Sequence, residues 1–256
     1  MSQMYSAVGA AKARRAARFI EPDGRSTLIA LDFQASSGQG PELDVITKVA
    51  AGGANGVLAT WHLARRYPEA FARTGLILRI DGGLTDMGGY ASGDVFSLLY
   101  EVEQAAVIGA DGVVIMAYPG ADDEELSLRR LTKLAGECEM IGMPLIVESI
   151  PGGWKRAVPW ETEFIARCAR VCVELGADMI KTPAPPKVEE IADVVAVTQA
   201  PVVVLGGPKM DSEDEAVEFA AAAVAAGAAG IAFGRNCWGA ADPEAMVRRL
   251  YQAVHG

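Results

Sequence analysis

Histidine and cysteine are scarce: His62, His255, Cys138, Cys168, Cys172 and Cys237 are the only ones in 256 residues. None forms a CxxC or a Cys/His pairing of zinc type, so no metal site is expected, and a reducing cytoplasm is the expected home. Basic residues are in deficit, with 23 Lys and Arg against 33 Asp and Glu and a formal charge of −10. No basic patch is long enough to track a phosphate backbone, which argues against nucleic acid as a partner. No apolar run approaches the roughly 18 to 20 residues that span a bilayer, and no signal-peptide apolar core opens the chain, so no membrane partner is expected. A GxGxxG turn is missing after the first apolar run. The stretch Asp32-Phe33-Gln34-Ala35-Ser36-Ser37-Gly38-Gln39-Gly40 stands there instead, which argues against an open dinucleotide-binding sheet.

What is abundant is apolar residues, at 51% of the chain, in a recurring phrase. Gly53-Ala54-Asn55-Gly56-Val57, Gly109-Ala110-Asp111-Gly112-Val113, Gly176-Ala177-Asp178-Met179-Ile180 and Gly227-Ala228-Ala229-Gly230-Ile231 each follow a helical pattern and precede an apolar run. Such a phrase encodes a helix C-terminal Gly, a tight turn and a buried strand. Four further apolar runs lie between them, continuous rather than alternating, as suits a parallel sheet covered on both faces. Eight strands follow, near 27–32, 56–60, 75–81, 112–118, 144–149, 177–182, 201–206 and 230–234. With helices between them, they fit an α/β fold, a single (β/α)8 TIM barrel over residues 27–256. Residues 1–26 form an N-terminal extension. Its Lys12, Arg14, Arg15 and Arg18 precede any acidic residue, as in a transit peptide; the plainer reading is a helix over 5–19 docked through Phe19 and Ile20. Ser212 with Glu215 should form a capping box for one late helix, and Asp242 with Pro243 should start the last.

Barrel active sites form at the C-terminal ends of the strands, so the last residue of each run matters. Those residues are Asp32, Thr60, Asp81, Tyr118, Glu148, Lys181, Gly206-Gly207 and Gly234-Arg235. A Lys among aliphatic strands is suited to Schiff-base formation with a carbonyl; the alternatives for Lys181 are neutralising Asp32 or Asp81, or binding phosphate. The turns Leu205-Gly206-Gly207-Pro208-Lys209 and Gly234-Arg235-Asn236 sit where such barrels bind phosphate through backbone N–H groups, with Arg235 adding a bidentate contact. Trp61-His62 either lines the mouth or packs at its rim. Cys168 and Cys172 read as buried, Asp122 to Glu125 as an acidic first helical turn, and Glu189 and Glu190 as a solvated face.

Taken together, Leu28-Ile29-Ala30-Leu31-Asp32 followed by a Gly-rich stretch to Gly40-Pro41, Ala117-Tyr118-Pro119-Gly120, Met179-Ile180-Lys181, Gly206-Gly207-Pro208-Lys209 and Gly234-Arg235-Asn236-Cys237-Trp238 resemble the archaeal-type class I fructose-bisphosphate aldolases. Their superfamily includes aminodideoxyheptulosonate synthases and the aldolases that feed aminohydroxybenzoate formation. The resemblance runs from about residue 27 to 250. It implies Lys181 as the Schiff-base lysine, Asp32 as the nearby acid, and Gly206, Gly207, Gly234 and Arg235 as the phosphate site. Two departures stand out. Phe33-Gln34 replace the usual His-Gly after the first-strand Asp, and Ile150 replaces the proton-shuttling Tyr before the Pro at position 151. Tyr118, ahead of Glu148, is the expected replacement acid/base; the alternatives are a rim residue bonded to a loop for Tyr118 and an ion pair with Lys181 or Arg79 for Glu148.

The expected function is therefore a metal-independent class I aldolase of carbohydrate metabolism, without a cofactor. Its substrate would be a phosphorylated ketose with dihydroxyacetone phosphate as the ketone half. Alternatives are a non-covalent phosphate-binding isomerase or decarboxylase, and an inactive sugar-phosphate-binding barrel. A homo-oligomer is the default expectation. Aldehyde selectivity is assigned to loops 33–40, 82–92 and 150–158, with Asp81 and Asp86 as further possible contacts.

Overall fold

In a computed structural model of the chain, residues 9–32, 42, 44–82, 85, 87, 97–153 and 160–256 are described. Phe33, Gln34, Gly40, Pro41, Asp86 and most of the three selectivity loops lie outside the described residues. The elements run α1 (Ala10–Ala16), β1 (Ser26–Leu31), α2 (Val45–Ala51), β2 (Gly56–Ala59), α3 (Trp61–Arg66), β3 (Gly75–Arg79), β4 (Asp81–Gly82), β5 (Ser97–Leu98), α4 (Val102–Val107) and β6 (Gly112–Ala117). They continue as α5 (Glu124–Ile141), β7 (Leu145–Ser149), α6 (Thr162–Glu174), β8 (Met179–Thr182), α7 (Ile191–Thr198), β9 (Val202–Leu205), α8 (Glu213–Ala225), β10 (Gly230–Phe233), α9 (Arg235–Trp238) and α10 (Pro243–His255).

Eight strands close in the order β1-β2-β3-β6-β7-β8-β9-β10, and β10 returns to pair with β1. Every pairing within the barrel is parallel. The eight expected strands are these, each starting or ending within about two residues of its expected bounds. The short antiparallel pair β4–β5 was not legible, because two-residue strands have no periodicity to read.

One side chain from each strand fills the lower barrel: Leu28, Leu58, Ile77, Val114, Ile146, Met179, Val203 and Ala232. Phe19 and Ile20 join this layer from below and are buried, so the N-terminal segment plugs the barrel. Gly56, Gly75 and Gly112 open their strands because Phe19 occupies the space; a Cβ on either of the first two would stand 2.8 Å from Phe19 Cβ. The repeated phrase has a second purpose. Asn55 Oδ1 accepts the amide of Thr27 at 2.6 Å, Asp111 Oδ2 that of Leu76 at 3.0 Å and Asp178 Oδ2 that of Leu145 at 2.8 Å. Each side chain thus satisfies a strand-entry donor that burial would otherwise orphan.

The expected helix starts are present. Asp242 Oδ1 accepts from Ala245 N, and Ser212 Oγ from Glu215 N. The capping box is altered, however: Glu215 Oε2 accepts from Asp211 N, one residue before the cap. The helix expected over 5–19 is observed as α1, with residues 1–8 outside the described set.

Candidate active site

Side chains alternate along a strand, so the residue two positions beyond each lower-layer side chain also points into the barrel, one layer higher. Counting two from Ile77, Ile146 and Met179 gives Arg79, Glu148 and Lys181, and four from Leu28 gives Asp32. All four are buried. Register places Glu148 directly opposite Lys181 on the neighbouring strand.

Lys181 Nζ stands 2.9 Å from Glu148 Oε1. The other Glu148 oxygen takes a 2.5 Å contact from Arg79 Nη2. Arg79 also reaches Asp32 Oδ2, through Nε at 2.8 Å and Nη2 at 2.7 Å, and Asp81 Oδ1 at 3.2 Å. Asp81 Oδ2 accepts the Met116 amide at 2.8 Å and lies 3.5 Å from Arg130 Nη2. Arg130, on α5, also donates to the Met116 carbonyl at 2.6 Å. Three carboxylates (Asp32, Asp81, Glu148) thus face three cations (Arg79, Arg130, Lys181) in one buried network with Arg79 at its hub.

Burial works to raise the Asp32 carboxyl, but Arg79 and Lys181 outweigh it and hold its pKa below the ordinary value. At Asp81 burial prevails over Arg79 and Arg130, and the pKa rises. Burial opposes the charge on Arg79, yet Asp32, Glu148 and Asp81 together hold its pKa well above the ordinary value.

Tyr118 is fully buried rather than at the rim. Its phenol donates to the Met116 sulfur at 3.2 Å, and it shares an apolar cluster with Ile150, Met116 and Ala121. Burial, then Asp81, pushes the phenol pKa up. Of the two expected acid/base candidates, Glu148 is the one in contact with Lys181.

The glycine turns meet through Asn236, a buried residue within the Gly234-Arg235-Asn236 motif that is not among the expected site residues. Its Nδ2 donates to the Gly206 and Pro208 carbonyls at 2.8 and 3.0 Å, and its Oδ1 accepts from Met210 N at 2.8 Å. Gly207 has φ +63°, and a Cβ on Gly206 would stand 2.9 Å from the Phe233 ring. Arg235 Nη2 donates to the Gly207 carbonyl at 3.0 Å, so Gly206, Gly207, Gly234 and Arg235 form one surface. A cavity of about 400 Å3 adjoins it, lined by Lys209 and Asn236 but also by Asp211 and Glu213, carboxylates unsuited to phosphate.

Among the other side chains singled out, Trp61 stacks on Tyr100 with ring centroids 4.6 Å apart, and His62 is exposed beside it. All four cysteines are buried and free, and burial pushes each thiol up to about 12. Glu190 accepts from the Thr162 hydroxyl and pairs with Lys187 at 3.8 Å, on the outer helices. Arg79 is the main residue absent from the expected site list. Its signal was available: a lone cation inside an apolar strand, in step with the inward face.

Residues 30–240 match the DeoC/LacD family of aldolases. The chain is 32% identical over 188 residues to a 2-amino-4,5-dihydroxy-6-oxo-7-(phosphonooxy)heptanoate synthase of Streptomyces griseus, covering 73% of this chain and 68% of that one. It is 30% identical over 251 residues to the class 1 fructose-bisphosphate aldolase of Thermoproteus tenax, covering 93% of each. Among solved structures, an archaeal fructose-1,6-bisphosphate aldolase with its catalytic Lys covalently bound to the carbinolamine intermediate superposes with a TM-score of 0.86 at 28% identity. That match covers 96% of this chain and all of the other, 100%.

Proposed function

The chain belongs to the DeoC/LacD family of aldolases and is an aldolase of the class I, Schiff-base type; on that premise we propose that it works on a phosphorylated ketose through Lys181. The observation that carries the residue assignment is the buried 2.9 Å contact between Lys181 Nζ and Glu148 Oε1 at the mouth. Glu148 takes the proton that Lys181 sheds as its amine attacks the ketone carbonyl, and returns it to the carbinolamine hydroxyl as water leaves. The iminium then withdraws the electrons of the adjacent C–C bond. As that bond breaks, Asp32, held ionised beside Arg79, accepts the hydroxyl proton that converts the departing half into an aldehyde. Protonation of the enamine carbon and hydrolysis of the iminium release the ketone half and the free amine. Tyr118, packed on Ile150, is the second candidate donor.

Gly206, Gly207, Gly234 and Arg235 hold the phosphate, so that binding energy remote from the reacting carbons positions them. Dihydroxyacetone phosphate is the ketone half in this reading. Residues 27–256 act as the catalytic barrel and residues 1–26 as its N-terminal extension, whose described part, residues 9–26, closes the lower end. The buried free thiols suit a reducing cytoplasm, and a homo-oligomer remains the default assembly. Among the described residues no helix is long and apolar enough to cross a membrane.

The test is borohydride reduction of the protein with dihydroxyacetone phosphate, followed by peptide mass spectrometry with Lys181→Met as control. A reduced adduct on Lys181 is expected. Absence of an adduct while the phosphate ligand still binds would favour a non-covalent isomerase or decarboxylase, or a binding-only barrel.

A further inference from the structure

A cavity of about 260 Å3 lies at the ends of β2 and β3, lined by Thr60, Trp61, Leu99, Tyr100, Arg79 and Asp81. Around the closed barrel β2 stands four places from β8, which bears Lys181, and β3 four places from β9, which leads into the Gly206-Gly207 turn. A ketose held by phosphate at the glycine turns and by its carbonyl at Lys181 therefore extends its other end across the mouth toward this cavity. Arg79 joins the two places, since the guanidinium on the cavity wall also contacts Glu148 and Asp32.

The two sides of the mouth differ in chemistry. At the glycine turns Arg235 and Lys209 offer positive charge and the backbone offers amides. On the cavity side the only Lys or Arg among the described lining residues is Arg79, already shared among three carboxylates; one of them, Asp81, lines the cavity as well and also pairs with Arg130 at 3.5 Å. The further ionisable groups among the described lining residues are His62 and the Tyr100 phenol. Arg79 and Arg130 are both engaged by carboxylates, so among the described residues a phosphate here would find no uncommitted Lys or Arg to offset its desolvation. What the cavity does offer is apolar surface, with Trp61 and Tyr100 stacked at an interplanar angle of 14° and Leu99 partly exposed beside them.

We infer that this cavity receives the aldehyde half, and that this half is unphosphorylated with an apolar or aromatic body lying on Trp61 and Tyr100. The substrate is then a ketose monophosphate, not a bisphosphate. This inference rests on the Schiff-base reading above. In the condensing direction the enamine carbon on Lys181 bonds to the aldehyde carbon. The aldehyde oxygen takes up the proton released when the enamine formed, and water hydrolyses the resulting iminium.

The full chain is assayed with dihydroxyacetone phosphate and, in turn, phenylacetaldehyde, D-glyceraldehyde and D-glyceraldehyde 3-phosphate. Expected is a kcat/KM for phenylacetaldehyde at least about tenfold above that for glyceraldehyde 3-phosphate, an aromatic contact accounting for much of one decade. Trp61→Ala should lower the ratio of phenylacetaldehyde to glyceraldehyde kcat/KM about five- to tenfold, a ratio insensitive to the fraction of folded enzyme. Tyr100→Leu supplies the same readout if the first variant does not fold. A preference for glyceraldehyde 3-phosphate, no turnover of phenylacetaldehyde, or an unchanged ratio would overturn the inference. Borohydride trapping with dihydroxyacetone phosphate alone separates the two failures: an adduct with the wrong aldehyde preference sinks this inference only, whereas no adduct sinks the Schiff-base assignment with it.

Discussion

The two ends of the barrel use buried polar groups in opposite ways. At the lower end Asn55, Asp111 and Asp178 each spend an oxygen on a strand amide, and Lys12 covers Asp178 and Glu139 from α1. At the mouth Asp32, Asp81 and Glu148 converge on one guanidinium. Below, the carboxylates finish the backbone's hydrogen bonding; above, they are balanced mainly by side-chain cations, and such pairing can be redistributed when a substrate arrives. Lower-end substitutions should therefore change stability without changing chemistry per folded molecule, and mouth substitutions should change chemistry.

The largest separation is expected at Lys181. Lys181→Met removes the nucleophile and should lower kcat by on the order of 10⁴-fold or more, roughly 5.5 kcal/mol in the barrier. A steady-state assay beside a urea titration checks it, and retained turnover would show that the covalent step uses another group.

Arg79 links both properties. Arg79→Met leaves buried carboxylates without their shared cation, at a cost of about 3–5 kcal/mol in stability. It also removes the group that most lowers the Asp32 pKa. An acid with a depressed folded pKa stabilises the fold above its unfolded value and loses that contribution as pH falls through the folded one. The variant should therefore lose stability and activity at a higher pH on the acid side than the parent, with Arg79→Lys restoring part of the shift. An unmoved acid limb would mean that Arg79 does not control Asp32.

At the lower end Phe19→Ala empties the plug, for about 3–5 kcal/mol by analogy with other buried Phe truncations. Activity per folded molecule, measured at low temperature, should stay within about twofold, since Phe19 lies a full side-chain layer below Lys181. A tenfold loss would mean the plug sets the geometry of the mouth.

Much of this was legible because the barrel writes itself twice, in the repeated phrase and in the apolar runs. Lys181, Asp32 and Glu148 were readable as polar ends of apolar strands. Arg79 was legible only as an ion-pair partner for Glu148 and not as the hub, because the expected strand runs to Asp81 and its last residue is the one read, whereas β3 ends at Arg79 itself. The Phe19 plug was visible only as a docked helix, since what it fills depends on glycines from three separate strands. The pairing of Glu148 with Lys181 and Arg79 was legible as the alternative to an acid/base role, and both contacts are present; that Glu148 stands directly opposite Lys181 needed the strand register, which a single chain's pattern does not give.

The smallest expected effect lies within the repeated phrase itself. Position 55 is Asn and position 111 is Asp, yet both side chains accept a strand amide, from Thr27 and Leu76. Partial burial raises the Asp111 pKa, against the Leu76 amide and the attraction of Arg18. For an acid with a raised folded pKa, stability is fully present below the unfolded value near ~3.9 and declines as pH rises toward the folded value. Asp111→Asn keeps the acceptor and discards that charge, so it should lie within about 1 kcal/mol of the parent at pH 7, whereas Asp111→Ala orphans the Leu76 amide for about 1–3 kcal/mol. Urea titrations at pH 4 and pH 7 decide it: the parent-minus-Asn difference should shift toward the variant at the higher pH. A shift in the opposite direction would mean that the charge at position 111 serves the Arg18 contact 3.9 Å away more than the strand amide.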